Sequence, residues 1–337
     1  MKFLNLIKNL KFVLACCALL SLMTTVYGSP ILVVGHKNPD SDAIFSAISL
    51  AYLKSQQGTP ASAIAQGLPN PETQFALSYF GLKAPPVVLE VAGQEVILVD
   101  HNTYSQAPDD LKKATLIGIV DHHSLGDIST EEPIEVLIKP VGCTNTIIWQ
   151  LYREAGVEIP PAIAGIMLSA ILSDTLAFRS PTTTDLDQVA AKSLASIAGV
   201  SDIEQYAKLM FQAGESDLKS ETISTLFQRD FKNFSMHGNK IGIGHLAAFN
   251  FDHLAQRKSE FIIEMKDLLS RKEYQTLVLM LTDIQKNGSA ILIIGKNQDQ
   301  VAQAFNMTLD NHSGWAPGVV SRKKQVVPLL EKVFKEN

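Results

Sequence analysis

The chain has few cysteines, no excess of positive charge and no hydrophobic run long enough to cross a membrane. Its 337 residues include three cysteines, and Cys16 and Cys17 lie in an N-terminal segment that we expect to be removed. Only Cys143 then remains, which excludes an intrachain disulfide in the mature chain. We interpret Cys143 as a small buried apolar residue rather than a nucleophile.

The charge balance also excludes a class of partners. Lys and Arg number 29 against 34 Asp and Glu, so the formal net charge is -5. A chain of this acidity has no general attraction to nucleic acid or to an anionic membrane surface. We therefore predict no nucleic-acid partner, and any phosphate ligand must meet a local group of cations or a metal.

Residues 1–28 have the pattern of a secretory signal segment. Lysines precede the apolar run 12–23, which is shorter than the ~20 residues that a membrane helix needs, and residues 26–28 form a small-residue cleavage site. We predict export to the periplasm or the exterior, with no stable membrane span in the mature form. Three alternatives stay open: lipid attachment at Cys16, an uncleaved anchor, and a cytoplasmic protein whose true start lies nearer Ser29.

The stretch 31–44 contains the first candidate ligands. Residues 31–34 are apolar without alternation, which predicts a strand buried on both faces. His36, Asp40 and Asp42 then lie on one loop at the carboxyl end of that strand, where open α/β sheets bind ligands. An imidazole and two carboxylates can hold a metal. The alternative is that the two aspartates only cap the following helix.

Two further apolar runs, both predicted strands, end in similar residues. The first is followed by Asp100, and the second by Asp121, His122 and His123. One aspartate at the end of a strand is usually a turn former or a helix cap. Three successive strands that end in acids or imidazoles instead indicate a common site. We interpret His101 as a loop residue and not as a ligand.

Asp174 ends the apolar segment 162–174, which predicts a buried helix. A carboxylate beside such an apolar run needs a strong partner, because burying an unpaired charge is costly. A divalent metal meets this need, and a salt bridge to Arg179 is the alternative. Earlier in the chain, Thr144 or Asn145 is expected either to cap a helix or to face an anion.

Taken in order, these residues resemble the motifs of the DHH phosphoesterase superfamily. The matching motifs are Gly35-His-x-Asn-Pro-Asp-x-Asp-x-Ile44, Asp100, Asp121-His-His123 and Ser173-Asp174. Within that superfamily, Pro140-Val-Gly-Cys-Thr144, Phe178-x-Ser-Pro181 and Ser321-Arg-Lys-Lys-Gln325 are similar to the manganese-dependent family II inorganic pyrophosphatases. The resemblance covers residues 31–328.

The resemblance implies an α/β fold with two domains. The first is a DHH domain with a mainly parallel sheet flanked by helices, and the second is a smaller α+β domain of the DHHA2 type, with the active site in the cleft between them. We predict the following division: signal segment 1–28, DHH domain 29–211, hinge linker 212–220 and DHHA2-type domain 221–337. In the second domain the pattern predicts strands at 230–234, 240–245, 276–283 and 289–295, and a helix at 254–272.

The resemblance also implies two divalent metals in each subunit, Mn²⁺ or Co²⁺. Six residues would hold them: His36 and Asp40 at one metal, Asp42 and His122 at the other, and Asp100 and Asp174 to complete the sites, at least one of them as a bridge. Asp121 would orient the imidazoles. The donor types suit manganese or cobalt better than calcium, and they do not exclude zinc.

Four further residues would contact the substrate: His123, Lys232, Arg322 and Lys323. His123 would protonate the leaving group, and the three cations would bind phosphate oxygens from the second domain. Because the cations at 322–324 lie between apolar segments, we expect them on an ordered loop.

The implied activity is hydrolysis of inorganic diphosphate to two phosphates by a hydroxide that bridges the two metals. The family further implies an additional Mg²⁺ that arrives with the substrate, a homodimer joined through the first domain, and closure of the two domains around the site. The alternatives are a DHH-family exopolyphosphatase, a nucleotide phosphodiesterase, or a protein that binds metal or phosphate without catalysis. We find no glycine-rich motif of the kind that nucleotide-acting relatives carry in the second domain.

Overall fold

The computed structural model describes residues 29–216, 218–249, 251–271 and 273–335. The predicted signal segment, residues 1–28, lies outside these ranges. Within them, no helix combines the length and the apolar character that crossing a membrane requires.

The N-terminal sheet is parallel and has the strand order β2-β1-β3-β4-β5. Its strands are β1 (Ile31–Val34), β2 (Ala61–Ile64), β3 (Glu95–Val99), β4 (Thr115–Asp121) and β5 (Glu135–Ile138). The chain passes from β1 to β2 on one side and then to β3 on the other side of β1. This change of direction opens a crevice at the carboxyl ends of β1 and β3, which is the usual place for a ligand in such sheets.

Helices cover this sheet and are built from the apolar segments between the strands. They are α1 (Ser41–Gln56), α2 (Pro71–Tyr79), α3 (Thr144–Ala155), α4 (Pro161–Asp174), α5 (Asp185–Ala198) and α6 (Ile203–Gly214), with a short 3₁₀ turn at Leu111–Lys113. Helix α4 is apolar on every face and is buried from Ile163 to Leu172. A helix of that kind is stable only inside a packed layer, so α4 holds its last residue, Asp174, at a fixed place.

The second sheet is mixed, with the order β10-β9-β8-β7-β6. Its strands are β6 (Phe231–Met236), β7 (Asn239–Ala248), β8 (Thr276–Asp283), β9 (Gly288–Gly295) and β10 (Ser313–Pro317). Only β7 and β8 pair in parallel among these strands. Every residue of β8 is buried, because Leu277 and Leu279 pack on one face of the sheet and Val278 and Met280 on the other.

The helices of this second part are shorter. They are α7 (Ile223–Gln228), α8 (Asp252–Gln256), α9 (Lys258–Ser270), α10 (Gln298–Ala304) and α11 (Val327–Lys335), preceded by a π-helical turn at Arg322–Val326. The fold therefore has the predicted two parts, a parallel sheet flanked by helices and a smaller mixed α and β unit.

Two local predictions were wrong. The helix expected at 254–272 is divided into α8 and α9 at Arg257, whose guanidinium reaches the carbonyls of Leu218 and Glu221. The cations at 322–324 lie on the π-helical turn and not on a loop, because Ser321 caps that turn by accepting from the Lys324 amide. Helix α6 extends to Gly214, so it includes the first residues of the predicted linker; the other domain limits stay predictions.

Candidate metal centre

The loop after β1 places His36 and Asp40 side by side. Asp40 caps α1, since its Oδ1 accepts a hydrogen bond from the Ala43 amide at 3.0 Å, while its Oδ2 lies 3.2 Å from His36 Nε2. The capping interpretation of Asp40 is therefore correct for one oxygen, and the other oxygen stays in the site. His36 is buried, and its Nδ1 contacts the Lys37 carbonyl at 2.8 Å.

Asp42 lies in the first turn of α1 and is fully buried against the start of α3. Its carboxylate accepts from the Thr144 amide at 2.7 Å, the Asn145 amide at 3.2 Å and the Asn145 side chain at 2.8 Å. The anion that meets this helix N-terminus is thus Asp42 itself, as the positive end of a helix favours. Cys143 donates its thiol to the same carboxylate at 3.0 Å, which gives this buried residue a polar contact.

Asp100 lies between the pair His36 and Asp40 and the side chains around Asp42. Its backbone has a φ of 61°, a left-handed conformation that is uncommon for a non-glycine residue and often marks a functional position. One carboxylate oxygen lies 3.4 Å from His36 Nε2 and the other 3.3 Å from His122 Nε2. Thr144 Oγ1 also donates to it at 3.2 Å.

The six predicted ligands come together as two overlapping groups. His36, Asp40 and Asp100 form one, and Asp42, Asp100, His122 and Asp174 form the other, with the potential ligand atoms of each group within 4.8 Å of one another. Asp100 belongs to both groups and is therefore placed to bridge. Arg179 contacts Glu204 at 3.4 Å, and no ion pair between Arg179 and Asp174 occurs among the described residues.

The tautomers of the two histidines suit metal binding. His122 Nδ1 contacts the Val141 carbonyl at 3.1 Å, as His36 Nδ1 contacts a carbonyl of its own loop. A carbonyl only accepts, so Nδ1 carries a proton in each ring, and once Nε2 has lost its own proton its lone pair can bind a cation that the carboxylates also bind. This arrangement, an imidazole fixed through its second nitrogen, is usual for metal ligands.

The charges of the site also fit divalent cations. Burial and the neighbouring Asp100 raise the pKa of Asp42 to about 6, and burial and Asp42 raise the pKa of Asp174 well above its ordinary value. Although burial opposes it, contact with Asp40 and Asp100 raises the pKa of His36 to about 10. Packed carboxylates therefore need positive charge, which protons or metal ions can supply.

His123 lies beside the metal ligands and is held by Asp121. Its Nδ1 donates to Asp121 Oδ1 at 2.8 Å, and the same oxygen accepts from the His122 amide at 2.7 Å. Burial and the adjacent His122 ring lower the pKa of His123 to about 4, so its ring is neutral at pH 7. Asn102 donates to the other oxygen of Asp121, and nothing in the sequence pattern indicated a role for Asn102 beyond its place near Asp100.

His101 is buried and contacts the Val99 carbonyl through Nδ1 at 2.8 Å. It belongs to none of the candidate ligand groups found among the described residues, in line with its interpretation as a loop residue.

Glu72 is a site residue that sequence reasoning missed. Its Oε1 accepts from Ser41 at 3.0 Å and from Ser173 at 2.5 Å. These serines adjoin the candidate ligands Asp42 and Asp174. Burial raises the pKa of Glu72, and its place just after the Asn70-Pro71 start of α2 carried no functional signal in the sequence.

The second domain contributes its cations to the same cavity. A cavity of about 450 Å³ is lined by Asp100, His122 and His123 on one side and by Lys232 and Arg322 on the other. Lys323 lines it as well, and its ammonium group donates to the His122 carbonyl. The four predicted substrate-binding residues therefore line one space between the two parts of the chain together with four of the predicted metal ligands, Asp40, Asp100, His122 and Asp174.

Comparison with known families agrees with this architecture. Residues 30–171 match the N-terminal domain of the DHH family, and residues 208–333 match the DHHA2 domain. The fold and the site together define a class: a two-domain DHH-type protein with a candidate metal centre at the carboxyl edge of its parallel sheet.

Full-length relatives narrow the class. A Streptococcus mutans protein described as a manganese-dependent inorganic pyrophosphatase is 43% identical over 309 residues, which is 91% of this chain and 99% of the relative. A Staphylococcus saprophyticus protein of the same description is 44% identical over 304 residues, with 90% and 98% coverage. A crystal structure from Methanococcus jannaschii, described as a family II inorganic pyrophosphatase, has a TM-score of 0.83, 41% identity and coverage of 90% and 99%. The chain belongs to the family of manganese-dependent, family II inorganic pyrophosphatases.

Proposed function

We propose that this protein hydrolyses inorganic diphosphate to two phosphates with the aid of two divalent cations, manganese foremost. The observation that carries the proposal is the cavity in which two ligand groups sharing Asp100 face Lys232, Arg322 and Lys323. A small, highly charged anion needs positive charge on both sides. The lysines and the arginine supply it on one side of this cavity, and cations bound by the ligand groups would supply it on the other. The manganese-dependent relatives support the choice of metal.

Six residues would hold the cations in the two groups found: His36, Asp40 and Asp100 in one, and Asp42, Asp100, His122 and Asp174 in the other. Bound there, two divalent cations would lower the pKa of a water molecule and neutralise charge on the phosphates. The bridging place of that water, the count of two cations per subunit and the extra Mg²⁺ with the substrate stay predictions.

The remaining residues bind, orient and transfer protons. Lys232 and Lys323 act as point charges on phosphate oxygens, and Arg322 offers a planar pair of N–H groups. Neutral His123 donates Nδ1–H to Asp121 and therefore presents an unprotonated Nε2. The charge of diphosphate would raise the pKa of His123, so that Nε2–H can be given to the leaving phosphate.

The test is phosphate release by the manganese-loaded protein from diphosphate, long polyphosphate and a cyclic dinucleotide. We expect rapid release from diphosphate alone. Asp100→Ala removes the ligand common to both groups, so it should lower kcat by at least ~10³-fold, a loss comparable to the removal of a principal catalytic group. Phosphate release mainly from polyphosphate would favour the exopolyphosphatase alternative, and full activity of Asp100→Ala would contradict the metal assignment.

We further propose that the subunits form a homodimer and that the protein is exported. The dimer is supported by β5, an edge strand whose Glu135 and Val136 are exposed, and light scattering of the purified protein tests it. Export is supported by the pattern of residues 1–28, and the mass of the mature protein after cell fractionation tests it.

A further inference from the structure

Behind Arg322 lies a partly buried hydrogen-bond network to which the proposed reaction assigns no role. The Arg322 guanidinium donates from Nη1 to the Asp230 carbonyl at 2.7 Å and from Nη2 to Asp230 Oδ1 at 2.7 Å, with a longer contact of 3.4 Å to the Ile243 carbonyl. These contacts occupy the edge formed by Nη1 and Nη2. Among the described residues no hydrogen bond involves Nε, so the edge formed by Nε and Nη2 is left for a ligand in the cavity.

Asp230 is held in turn by His245 of the neighbouring strand β7, whose backbone amide donates to the Asp230 carbonyl at 3.0 Å. His245 Nδ1 lies 3.7 Å from Asp230 Oδ2, and His245 Nε2 lies 2.9 Å from Thr282 Oγ1. Thr282 Oγ1 lies 2.7 Å from Ser289 Oγ, and that hydroxyl donates to the Val319 carbonyl at 2.6 Å. The network thus runs through the sheet and returns to the segment just before Arg322.

The single proton of each hydroxyl fixes the directions in this network. Ser289 donates its proton to Val319, so it accepts from Thr282, and Thr282 accepts from His245 Nε2–H. Neutral His245 therefore has no proton on Nδ1, and it leaves the Asp230 carboxylate to Arg322. Burial lowers the pKa of His245 to about 4 despite the nearby Asp230, and the positive charges of Arg322 and Lys232 act in the same direction as burial.

We propose that Asp230 is a positioning residue for Arg322 and that the network keeps the His245 proton on Nε2, so that the Asp230 carboxylate accepts from Arg322 and not from His245. A carboxylate near an anion site weakens anion binding unless it orients a cation that binds the anion. Arg322 has a long side chain with many rotamers, and its two contacts with Asp230 select one in which the N–H groups of the Nε and Nη2 edge remain for a ligand. The inference rests on the proposed function, because it describes one of the residues that would bind diphosphate.

The opposite possibility is that Asp230 competes with diphosphate for Arg322. The two possibilities predict opposite changes in affinity. Removal of the carboxylate weakens ligand binding if Asp230 positions Arg322, and it strengthens ligand binding if Asp230 competes. The experiment uses the full-length, manganese-loaded protein and measures the Kd of imidodiphosphate, a non-hydrolysable analogue, by calorimetry, together with KM and kcat for diphosphate.

We expect Asp230→Ala to raise both the Kd and the KM about tenfold, as the loss of one charge-assisted contact implies, with a smaller change in kcat. Asp230→Asn should restore most of the affinity, because its amide oxygen can still accept from Nη2. In the Arg322→Ala background, Asp230→Ala should cause no further loss, since it acts through the guanidinium. Thr282→Val, which removes the acceptor of His245 Nε2–H, should raise the Kd about threefold.

Glu260→Ala is the matched control. Arg257 also donates to a backbone carbonyl, that of Glu221 at 2.9 Å, and to the Glu260 carboxylate at 3.1 Å, but this pair does not line the cavity. We expect no change of Kd in Glu260→Ala. Thermal unfolding and metal content identify any variant that has lost its fold. If Asp230→Ala has lost it, the Kd values of Thr282→Val and Asp230→Asn decide the question.

An unchanged or lower Kd in Asp230→Ala, or an additive loss in the double variant, would overturn the inference, as would a wild-type protein that does not bind imidodiphosphate. If the wild-type protein binds the analogue but does not hydrolyse diphosphate, the proposed function fails, and the Kd comparison still decides the role of Asp230.

Discussion

At the scale of single residues, Asp100 joins the two candidate ligand groups. It adopts a left-handed backbone conformation at the end of β3, and its two oxygens face the imidazoles of His36 and His122. Each of the other five predicted ligands belongs to only one of these two groups. If two cations bind here, their pairing would therefore depend on one side chain and on the strand that carries it.

Binding of Mn²⁺ should release protons at pH 7. The pKa of His36 is raised to about 10, so its ring holds a second proton at neutral pH in the metal-free protein, and burial and Asp42 shift the pKa of Asp174 upward as well. A metal must displace those protons, and its affinity therefore rises with pH, by up to about tenfold per pH unit for each proton displaced. Calorimetry in two buffers of different ionisation enthalpy should show release of at least about one proton per subunit.

The control for this prediction is His36→Gln, which should release fewer protons because the ring that holds one of them is gone. Binding heats that do not depend on the buffer, together with an affinity that is the same at pH 6 and pH 8, would show that the site is already deprotonated.

At the scale of secondary-structure elements, Asp187 links the start of α5 to the loop before α3, the segment that donates hydrogen bonds to Asp42. Asp187 is fully buried and accepts from the Gly142 amide at 2.9 Å and from Thr146 Oγ1 at 2.6 Å. It also forms a capping box with Thr184. A side chain at Gly142 would place its Cβ 2.8 Å from Asp187 Oδ2, so this close approach requires glycine.

We expect Asp187→Ala to lower the free energy of unfolding by about 2–4 kcal/mol, because several buried donors lose a charged acceptor at once. Asp185→Ala, an exposed position in the same helix, should lower it by less than about 1 kcal/mol, the usual size of an interaction with the helix dipole. Urea unfolding of the two variants measures the difference. Equal losses would mean that the buried network contributes nothing beyond helix capping.

At the scale of the whole molecule, the cations lie on one part of the chain and the carboxylates on the other. Lys323 contacts the His122 carbonyl, and Lys232 lines the same cavity as Asp100. Diphosphate between them would attract the lysines and, through bound cations, the carboxylates. We infer that the binding of substrate would be coupled electrostatically to closing of the cleft, which would exclude water from the reacting groups.

We therefore expect the radius of gyration of the manganese-loaded protein to fall when imidodiphosphate is added. Small-angle X-ray scattering with and without the analogue measures it. Lys323→Ala, which removes one cation from the cleft, should show a smaller fall. Identical curves for the wild-type protein in the two conditions would contradict closure.

The sequence indicated β1, β3 and β4 because each is an apolar run that needs no neighbour to be recognised. It did not indicate β2 or β5. Residues 61–64 are mostly small or polar and residues 135–138 are only partly covered, so these segments become strands through pairing with β1 and β4. The contact of Arg322 with Asp230 could not be predicted either, because 92 residues separate them in the chain.

The sequence by itself determined the fold class, the family and the identity of the candidate ligands, because each motif is local and its residue types have few other uses at the end of a buried strand. Only the tertiary structure decided that Asp100 is shared by two groups, that α3 points its N-terminus at Asp42, and that Asp230 holds Arg322. These facts depend on distances of a few ångström between residues far apart along the chain, and such distances exist only once both sheets have packed.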